Sequence, residues 1–518
     1  MSVVTNVAPQ NASITPRQDL ALLPTADEWV EHAKLLLKFW LQDEAKGNPI
    51  GNFPTWRNND GTLIGGATQD TNLNSTTPNS APANLNSTTP NSAPANLTHE
   101  APRDLKILLA HYCVDINTLL KRQYVRMMSR QTFAYGALFN LTGDQEALKL
   151  HEAGVRYLLD HARDEHGIFY TFFTANEAHA NVNSDEQQFS KLKSGHPKLE
   201  ERAIQDLCGA TLGLAMNVYL THSQESLDAI ETIRKYIYTY CADEHSRILK
   251  WVLKDFEADK AKDIQLSPQL DELNCYLLLL WRLLPKELKP LWQTSIDESL
   301  DIIDNYFTEP NTGRFYGSLT GDIANPNKIG QLANYGHGIK TWWMRDIAAS
   351  LKGDPMIRAK ALHGIAVYVK DALKPDGNFW YEDDERHDAT WWIWAELDQA
   401  MLHAALVGQA PITGTVRTWT QKLTDRQYGE VVLGQKQHFW RNGYHSSEHA
   451  LVGYILSQGI RGKYDPKAKV TLYFATKENN PNQQLFTPYY YSGDLANISN
   501  ENGIQTVTFT GIRAPDAI

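Results

Sequence analysis

A short motif, a glycine with an aromatic residue two positions later, recurs along this chain of 518 residues. It follows helix-like segments at Gly51, Gly167, Gly313 and Gly377, so that successive glycines are 116, 146 and 64 residues apart. These spacings are roughly two, two and one times a unit of ~60–70 residues, the length of a helix pair with its loops. Six such pairs occupy roughly 400 residues, so the pattern predicts an all-α, closed (α/α)6 toroid with the short hairpins at one end. An open α-solenoid is the alternative, although its repeats are shorter and more uniform.

Helical periodicity extends over most of the chain between residues 25 and 458. Segment 25–42 is typical, because Thr25 is a candidate N-cap and apolar residues follow at spacings of three and four. Strand-like patterns begin only near residue 468. The predicted helices are 25–42, 104–120, 124–141, 145–162, 201–220, 226–241, 269–284, 292–307, 337–351, 356–373, 391–407 and 446–458, and the predicted strands are 469–475, 485–492 and 504–511.

Composition divides the chain into three regions. Residues 1–24 are a polar stretch that we expect to be a flexible leader, residues 25–463 form the toroid, and residues 464–518 form a small β-rich appendage. Within the toroid region, NLNSTTPNSAPA occurs twice in succession in residues 72–95. Because such a polar repeat cannot bury apolar surface, residues 66–100 are predicted to be a disordered insertion.

Charge and motif content exclude several classes of partner. The net charge is −11 and no segment is densely basic, which argues against nucleic acid and acidic membrane surfaces. No apolar run approaches the ~18 residues of a membrane-spanning helix, and the four cysteines lie far apart. No dinucleotide, P-loop or HExxH motif is present, so neither a cofactor nor a metal is predicted. We expect a soluble, cytoplasmic protein for which a homo-oligomer is compatible with the sequence.

Four short segments carry candidate catalytic groups. His337 stands between two glycines at a predicted helix start, and His445 begins the last predicted helix. Arg130 precedes an aromatic helix, while Glu396 lies inside an otherwise apolar one that resembles a core element. Each also has a structural explanation, such as a hydrogen-bonded buried histidine, a helix cap or an ion-paired core carboxylate. Aromatic residues are numerous, and Tyr489, Tyr490 and Tyr491 of the appendage are expected to form a structural patch rather than a pocket rim.

The order and wording of these motifs resemble the N-acylglucosamine 2-epimerase family, which includes cellobiose 2-epimerases and related aldose–ketose isomerases. The resemblance covers roughly residues 25–458. It is carried by GNFPTWRNNDG (51–61), the segment from Arg130 to His161, the Gly-His helix start, the tryptophan-rich helix ending at Glu396 and the late W-x-x-x-Y-H that ends at His445. The family fold is an (α/α)6 barrel, which agrees with the repeat length.

The resemblance implies a cofactor-independent sugar 2-epimerase or aldose–ketose isomerase that acts on a mono- or disaccharide through an enediolate. His337 and His445 match the two acid–base positions, and Arg130 matches the arginine that holds the developing oxyanion. The glycines beside His337 are expected to leave room for a sugar hydroxyl, and Lys340 and the helix start should keep this ring neutral and ready to accept a proton. An aromatic floor under Arg130 is expected from Phe133 or Trp342. The residues expected to contact substrate are Glu396, Lys340, Asp271, Asn274, Trp342, Trp392, Trp394, Trp440 and Tyr335.

The chain departs from the family pattern at several pocket positions. Lys340 stands where the family has glutamate, Asp271 and Asn274 stand where it has histidine and glutamate, and Trp394 stands where glutamine is common. Two other functional classes therefore remain as alternatives. One is a family-like scaffold with a binding role, and the other is an (α/α)6 glycoside hydrolase, lyase or cyclase. The second would use carboxylates from Asp271, Glu396, Glu448 or the acidic loop 382–388. Placement of both histidines in one cavity would favour the epimerase or isomerase.

Overall fold

The computed structural model describes residues 20–64, 122–174, 204–250, 264–382, 387–476 and 486–517. The predicted helix 104–120, the repeat insertion 66–100 and residues 1–19 of the leader lie outside the described residues. The helices are α1 (Ala26–Trp40), α2 (Val125–Thr142), α3 (Gln145–His161), α4 (Ile204–Thr221), α5 (Gln224–Tyr236), α6 (Ser267–Glu272), α7 (Leu278–Leu280), α8 (Lys289–Ile302), α9 (Tyr335–Lys352), α10 (Pro355–Ala372), α11 (Trp391–Leu406), α12 (Thr415–Lys422) and α13 (Tyr444–Gly462).

Six helical segments form an inner ring. In ring order they are α2, α4, the broken helix α6–α7, α9, α11 and α13, and each packs against the next. Helix α13 packs back against α2 and so closes the ring. Helices α1, α3, α5, α8, α10 and α12 lie outside it, which gives the predicted (α/α)6 toroid. The toroid prediction is therefore confirmed.

The inner and outer helices differ in composition as their positions require. Every residue of α4 from Ile204 to Leu220 is buried, since inner helices contact both the ring and the outer layer. Helix α3 buries one face only, and Asp144 caps it by accepting a hydrogen bond from the amide of Ala147. Among the described helices, none has the length and apolarity that crossing a membrane requires.

Short turns follow the outer helices, as the glycine motif predicted. Gly167, Gly313 and Gly377 all adopt positive φ angles, of 80°, 71° and 83°, within turns whose ends form isolated β-bridges. Two equivalent turns, bridged at Ala242–Leu249 and at Thr424–Val431, were missed. In the first of them Arg247 takes the left-handed conformation, with φ 62°, at the position that glycine occupies in the predicted turns.

These turns lie at one end of the toroid, around the N-termini of the inner helices. The amide of Val125 donates to the carbonyl of Thr171, and the amide of Tyr335 donates to the carbonyl of Tyr381. Next to Gly51, the side-chain amide of Gln123 donates to backbone carbonyls of residues 52 and 53, just before α2. The predicted common end is thus present.

The strands form three small antiparallel sheets. Strands β6 (Val470–Phe474), β7 (Ser492–Glu501) and β8 (Ile504–Arg513) form the appendage in the order β6–β8–β7. The predicted strand 485–492 is wrong, because residues 486–491 form a turn in which Tyr489 has φ 57°. The other sheets combine β1 (Arg122–Tyr124) with β2 (Phe172–Thr174), and β3 (Ile264–Gln265) with β4 (Tyr316–Asp322) and β5 (Asn325–Leu332).

Three further features differ from the prediction. The hairpin β4–β5 was not expected, because its polar and glycine-rich sequence has little strand-like alternation. The end of the leader, residues 20–24, packs on the toroid: Leu23 is buried, and its carbonyl accepts hydrogen bonds from Arg417 and Arg461. Helix α12 was also missed, since it spans only Thr415–Lys422 and has little apolar content.

Candidate active site

A cavity of about 330 Å³ opens among the N-terminal ends of the inner helices. All six inner segments contribute to its lining, and the hairpin β4–β5 forms a further wall. Because helix N-termini carry partial positive charge, this arrangement favours a ligand or transition state that carries negative charge. Of the predicted residues, the cavity is lined by Arg130, Asp271, Asn274, His337, Lys340, Trp392, Trp440 and His445.

His337 lies in the first turn of α9. Asn334 caps this helix, since its Oδ1 accepts a hydrogen bond of 3.0 Å from the His337 amide. Burial, reinforced by the positive charge of Lys340, lowers the pKa of His337 to about 4, so the ring is neutral near pH 7. The Nδ2 of Asn334 lies 3.4 Å from His337 Nδ1, so the amide nitrogen faces this ring nitrogen as a donor.

The glycines beside His337 have a different use from the one expected. A Cβ on Gly336 would lie 2.5 Å from the Trp392 ring, and one on Gly338 would lie 2.2 Å from the Tyr368 ring. Both distances are far below van der Waals contact. The glycines therefore allow α9 to pack closely on these two rings, and they do not leave space for a sugar hydroxyl.

His445 begins α13 on the same cavity. Its Nδ1 lies 3.3 Å from Glu396 Oε1, within ion-pair distance but not aligned as a hydrogen bond. Burial lowers the pKa of His445 to about 4 even though the Glu396 carboxylate opposes this shift. The ring of Trp392 packs near both histidines, with its centroid 4.8 Å from that of His337 and 6.1 Å from that of His445. The structure thus brings both predicted histidines to one cavity.

Lys340 and Glu396 form a buried ion pair next to these histidines. Lys340 Nζ lies 2.9 Å from Glu396 Oε1, and their side chains are 6% and 0% exposed. Burial alone would raise the pKa of Glu396, but Lys340 and then His445 outweigh it and hold this carboxyl ionised. One carboxylate oxygen is thus close to both the Lys340 ammonium and the His445 ring. Glu396 itself lies behind these residues and does not line the cavity.

Arg130 enters the cavity from the second turn of α2. Its Nη1 donates to the Trp440 carbonyl at 3.3 Å, and its guanidinium lies 5.5 Å from the Tyr444 ring centroid and 5.8 Å from the Trp440 ring centroid. The predicted floor from Phe133 or Trp342 is wrong. Phe133 packs edge-on against Tyr444, and the rings beside Arg130 are Trp440 and Tyr444.

Two residues of the broken inner helix complete the polar lining. Burial raises the pKa of Asp271, although Lys340 and Arg130 act in the opposite direction. Asn274 Nδ2 donates a hydrogen bond of 2.7 Å to the Tyr444 hydroxyl. These two positions, at which the chain departs from the family pattern, therefore do face the cavity.

Besides Glu396, three predicted contact residues lie outside the cavity lining. Trp342 points toward the outer layer, where a Cβ on Gly364 of α10 would lie 2.4 Å from its ring. Trp394 donates to Asp398 Oδ2 at 3.2 Å, and Tyr335 packs against Tyr368. Each tryptophan was assigned from a tryptophan-rich segment without regard to its helix face, and only some positions of such a segment point inward.

The cavity also contains residues that were not predicted to line it. They include Gln205 of α4, Gln331 of β5, Cys275 and Tyr444. Tyr444 directly precedes His445 in the W-x-x-x-Y-H motif, so the motif itself was an available signal. Gln331 could not be found in this way, because the hairpin that carries it was not predicted.

Glu396, His445 and Glu448 form the group of described residues whose ligand atoms, all within 4.8 Å of one another, come close enough for one metal ion. The ammonium of Lys340 already supplies positive charge to Glu396 at 2.9 Å. Glu448 also accepts a hydrogen bond of 2.8 Å from Tyr489. We therefore interpret this group as a buried ionic cluster rather than a metal centre.

The fold and cavity together place the chain in the class of (α/α)6 toroids. No protein-family model matches the sequence, and no curated protein matches it. Among solved structures, cellobiose 2-epimerase from Bacillus thermoamylovorans is similar over 68% of this chain and 90% of its own, with a TM-score of 0.52 and 16% identity. A D-mannose isomerase is similar over 68% and 97%, with a TM-score of 0.51 and 12% identity.

A third similar structure is the unsaturated glucuronyl hydrolase from Streptococcus agalactiae. It covers 87% of this chain and 98% of its own, with a TM-score of 0.51 and 8% identity. Because all three identities are low, the likeness shows a shared toroid fold. The activity has to be argued from the side chains of the cavity.

Proposed function

We propose that the protein is a sugar 2-epimerase or aldose–ketose isomerase that works by proton transfer between two histidines without a redox cofactor. The observation that supports this most directly is that His337 and His445 line one cavity together with Arg130, and that the Trp392 ring packs near both histidines. Proton removal from one side of a substrate carbon and proton return from the other need two acid–base groups in one cavity. The similarity in fold to a 2-epimerase and a D-mannose isomerase agrees with it.

The reaction begins at the carbon next to the carbonyl of an open-chain aldose. A histidine takes the C2 proton, the C2–H electron pair forms the C1–C2 double bond, and the carbonyl electrons move to O1, which gives an enediolate. Arg130 and the surrounding helix N-termini stabilise this oxyanion. Protonation of C2 from the other face gives the epimer. Protonation of C1, with transfer of the O2 proton to O1, gives the ketose.

We infer the starting roles of the two histidines from their contacts. Asn334 faces His337 Nδ1 as a donor, so the neutral ring carries its proton on Nε2 and starts as the acid. Glu396 near His445 Nδ1 favours the tautomer protonated there, which leaves Nε2 of His445 as the base. This reverses the role expected for His337 from the sequence, because that expectation considered the charge of the ring and not its tautomer.

The test is incubation with a panel of mono- and disaccharides in D₂O, followed by NMR and mass spectrometry. The proposal expects one sugar to acquire deuterium at C2 or C1 as its epimer or ketose forms. His337→Asn and His445→Asn should each abolish conversion, while one of the two variants retains exchange from a single face. Full conversion by either variant would contradict the two-histidine mechanism.

A carboxylate-based glycoside hydrolase is the second candidate, because Asp271 lines the cavity with a raised pKa suited to a general acid. The similarity in fold to an unsaturated glucuronyl hydrolase is compatible with it. The same sugar panel separates the two candidates, because hydrolysis releases a new reducing end without deuterium at C2. Asp271→Asn would abolish that release and leave histidine-dependent exchange measurable.

A further inference from the structure

Three consecutive tyrosines connect the C-terminal appendage to three different inner helices. The Tyr489 hydroxyl donates to Glu448 Oε1 of α13 at 2.8 Å, and the Tyr490 hydroxyl donates to the backbone carbonyl of Asn274 at 3.3 Å. The Tyr491 hydroxyl lies 3.2 Å from Nδ1 of His403 on α11. All three side chains are buried, so this segment is part of the toroid interior rather than a surface patch.

The backbone at Tyr489 is held in an unusual conformation. Its φ of 57° lies in the left-handed region, which is unfavourable for a residue with a large side chain. The hydroxyl of Tyr219 fixes this turn, since it accepts from the Tyr489 amide at 3.0 Å and donates to the Thr487 carbonyl at 2.7 Å. Such a conformation persists where the surroundings require a side chain in one place. Here the required contact is the one to Glu448.

Glu448 links this turn to the candidate catalytic groups. It lies three residues after His445 on α13, and it belongs to the compact group with His445 and Glu396. Among the described residues, the titratable or charged groups near Glu448 are Tyr444, His445, Glu396, Lys340, Tyr489, Tyr490 and, more weakly, Tyr491. Any change in the position or charge of Glu448 therefore acts on the Lys340–Glu396–His445 cluster.

We propose that Tyr489 is a positioning residue of the candidate active site, whose hydroxyl holds Glu448 against the cluster of Lys340, Glu396 and His445. The inference rests on the proposed function for its effect on turnover. The contact itself does not depend on the identity of the sugar. It makes the appendage a component of the site, although none of the described appendage residues lines the cavity.

The test uses Tyr489→Phe, which keeps the ring and removes the hydroxyl. Burial, together with the nearby charge of Glu396, raises the pKa of Glu448 to about 7, and the Tyr489 hydroxyl limits this rise. Loss of the donor should therefore raise the pKa of Glu448 further, by roughly 0.5–1 unit. The measurement is ¹³C NMR between pH 5.5 and 9 on full-length protein labelled at the glutamate carboxyl carbon, with Glu448→Gln identifying the signal.

Glu272 supplies a matched internal control. Burial also raises the pKa of this carboxyl to about 7, and the hydroxyl of Tyr276 donates to it in a separate part of the core. Tyr489→Phe should move the Glu448 titration and leave that of Glu272 unchanged, whereas Tyr276→Phe should do the reverse. An unchanged Glu448 titration in Tyr489→Phe would overturn the proposal, as would an equal shift of both carboxyls.

Turnover provides the second measurement once a substrate is found in the sugar panel. Tyr489→Phe should lower kcat by roughly three- to tenfold with little change in KM, and it should shift the pH profile in the direction of the NMR titration. Tyr491→Phe, which loses a hydroxyl next to His403, should leave the profile in place. If no sugar is converted, the proposed function fails while the NMR result still decides the role of Tyr489. Wild-type kcat and pH profile in Tyr489→Phe would overturn the positioning role.

Discussion

Histidine–carboxylate contacts occur in two regions of the inner helices, and the two regions differ in what surrounds the histidine. At the cavity, the Glu396 oxygen that lies near His445 also binds Lys340. In the core, His403 Nε2 lies 2.8 Å from Asp346 and His449 Nε2 lies 3.1 Å from Asp398. Both regions thus pair an imidazole with a carboxylate, from glutamate at the cavity and from aspartate in the core.

The two regions differ in whether a ligand can reach the histidine rings. The side chains of the core histidines, His403 and His449, are 0% exposed, and neither residue lines the cavity. Their rings contact Tyr491 and Trp419, which belong to the appendage and to an outer helix. His445 and His337 instead line the open cavity beside Lys340 and Arg130. A histidine–carboxylate pair therefore identifies a candidate site only when one ring face reaches space that a ligand can occupy.

The largest expected difference between the regions is catalytic. His445→Asn should lower conversion of a confirmed sugar by about 10²- to 10⁴-fold, the usual contribution of an acid–base group, with the melting temperature nearly unchanged. His403→Asn should lower the melting temperature and leave conversion nearly unchanged, because it breaks a buried hydrogen bond and His403 does not line the cavity. Measurement of kcat and of the melting temperature for both variants tests this difference. A catalytic loss in His403→Asn equal to that of His445→Asn would remove the distinction.

Lys340→Met should produce the next largest effect, mainly on stability. It leaves the Glu396 carboxylate buried without its ammonium partner, which costs about 3–5 kcal/mol of unfolding free energy. The double variant Lys340→Met/Glu396→Gln should recover much of this loss, because it removes the uncompensated charge. Urea denaturation of the three proteins gives the values. Equal stability of Lys340→Met and wild type would mean that the ion pair contributes nothing.

Acid should destabilise both regions through their buried histidines. Burial lowers the pKa of His337 and His445 at the cavity, and of His151 in the core, to about 4. Since these rings bind protons more readily in the unfolded chain, with a pKa near ~6.5, their contribution is fully present above pH ~6.5 and is lost as the pH falls toward 4. Each can contribute roughly 3 kcal/mol of this dependence.

Thermal unfolding measured from pH 7 to pH 4.5 tests this expectation. His151→Gln should flatten the decline in melting temperature without altering the pH dependence of turnover, whereas His337→Asn flattens the decline and removes turnover. A melting temperature that stays constant over this range would show that folding does not lower the pKa of these rings.

Arg130→Lys should give a smaller effect that is confined to the cavity. The ammonium keeps the positive charge but cannot reproduce the guanidinium geometry between the Trp440 carbonyl and the adjacent rings. We expect a loss of roughly tenfold in kcat and a smaller change in KM, because oxyanion stabilisation acts mainly in the transition state. Steady-state kinetics on the confirmed sugar measures both constants. An effect on KM alone would make Arg130 a substrate-positioning residue.

The smallest effect is expected from deletion of residues 72–95. This repeat belongs to neither region, and its place in the fold lies outside the described residues, so its disorder stays a prediction from composition. Differential scanning calorimetry should find nearly equal melting temperatures for the full chain and the deletion variant. A drop of many degrees would show that the repeat packs on the protein.

The architecture could be predicted because it repeats. The turns at Gly167, Gly313 and Gly377 can be recognised in the sequence because a glycine stands at the position with positive φ. The turn at Arg247 has a non-glycine residue at that position, so the motif does not reveal it. The two cavity histidines were found through the family resemblance, which specifies positions but not tautomers. The contacts of His337 with Asn334 depend on tertiary geometry and could not be read from the sequence.

Errors at the site have a common physical origin. Trp342 and Trp394 share helices with His337 and Trp392, and their place in the sequence does not reveal which helix face meets the cavity. The hairpin β4–β5 and the turn at Tyr489 are polar or strained segments that local propensity does not favour. These segments are shaped by contacts made at long sequence distance, so they were either missed or assigned to the wrong structure.

Closure of the ring by α13 has a consequence for biosynthesis. Helix α13 packs on α1 and α2, and the ion pair of Glu396 with Lys340 joins residues 56 positions apart in sequence. During translation, which proceeds at about 5–20 residues per second, α1 and α2 must wait many seconds for the partner that covers their apolar faces. The N-terminal helices are then the part of the nascent chain most exposed to aggregation and most dependent on chaperones. A ribosome stalled before residue 444 would carry a chain that has one histidine of the pair, no closed ring and no cavity.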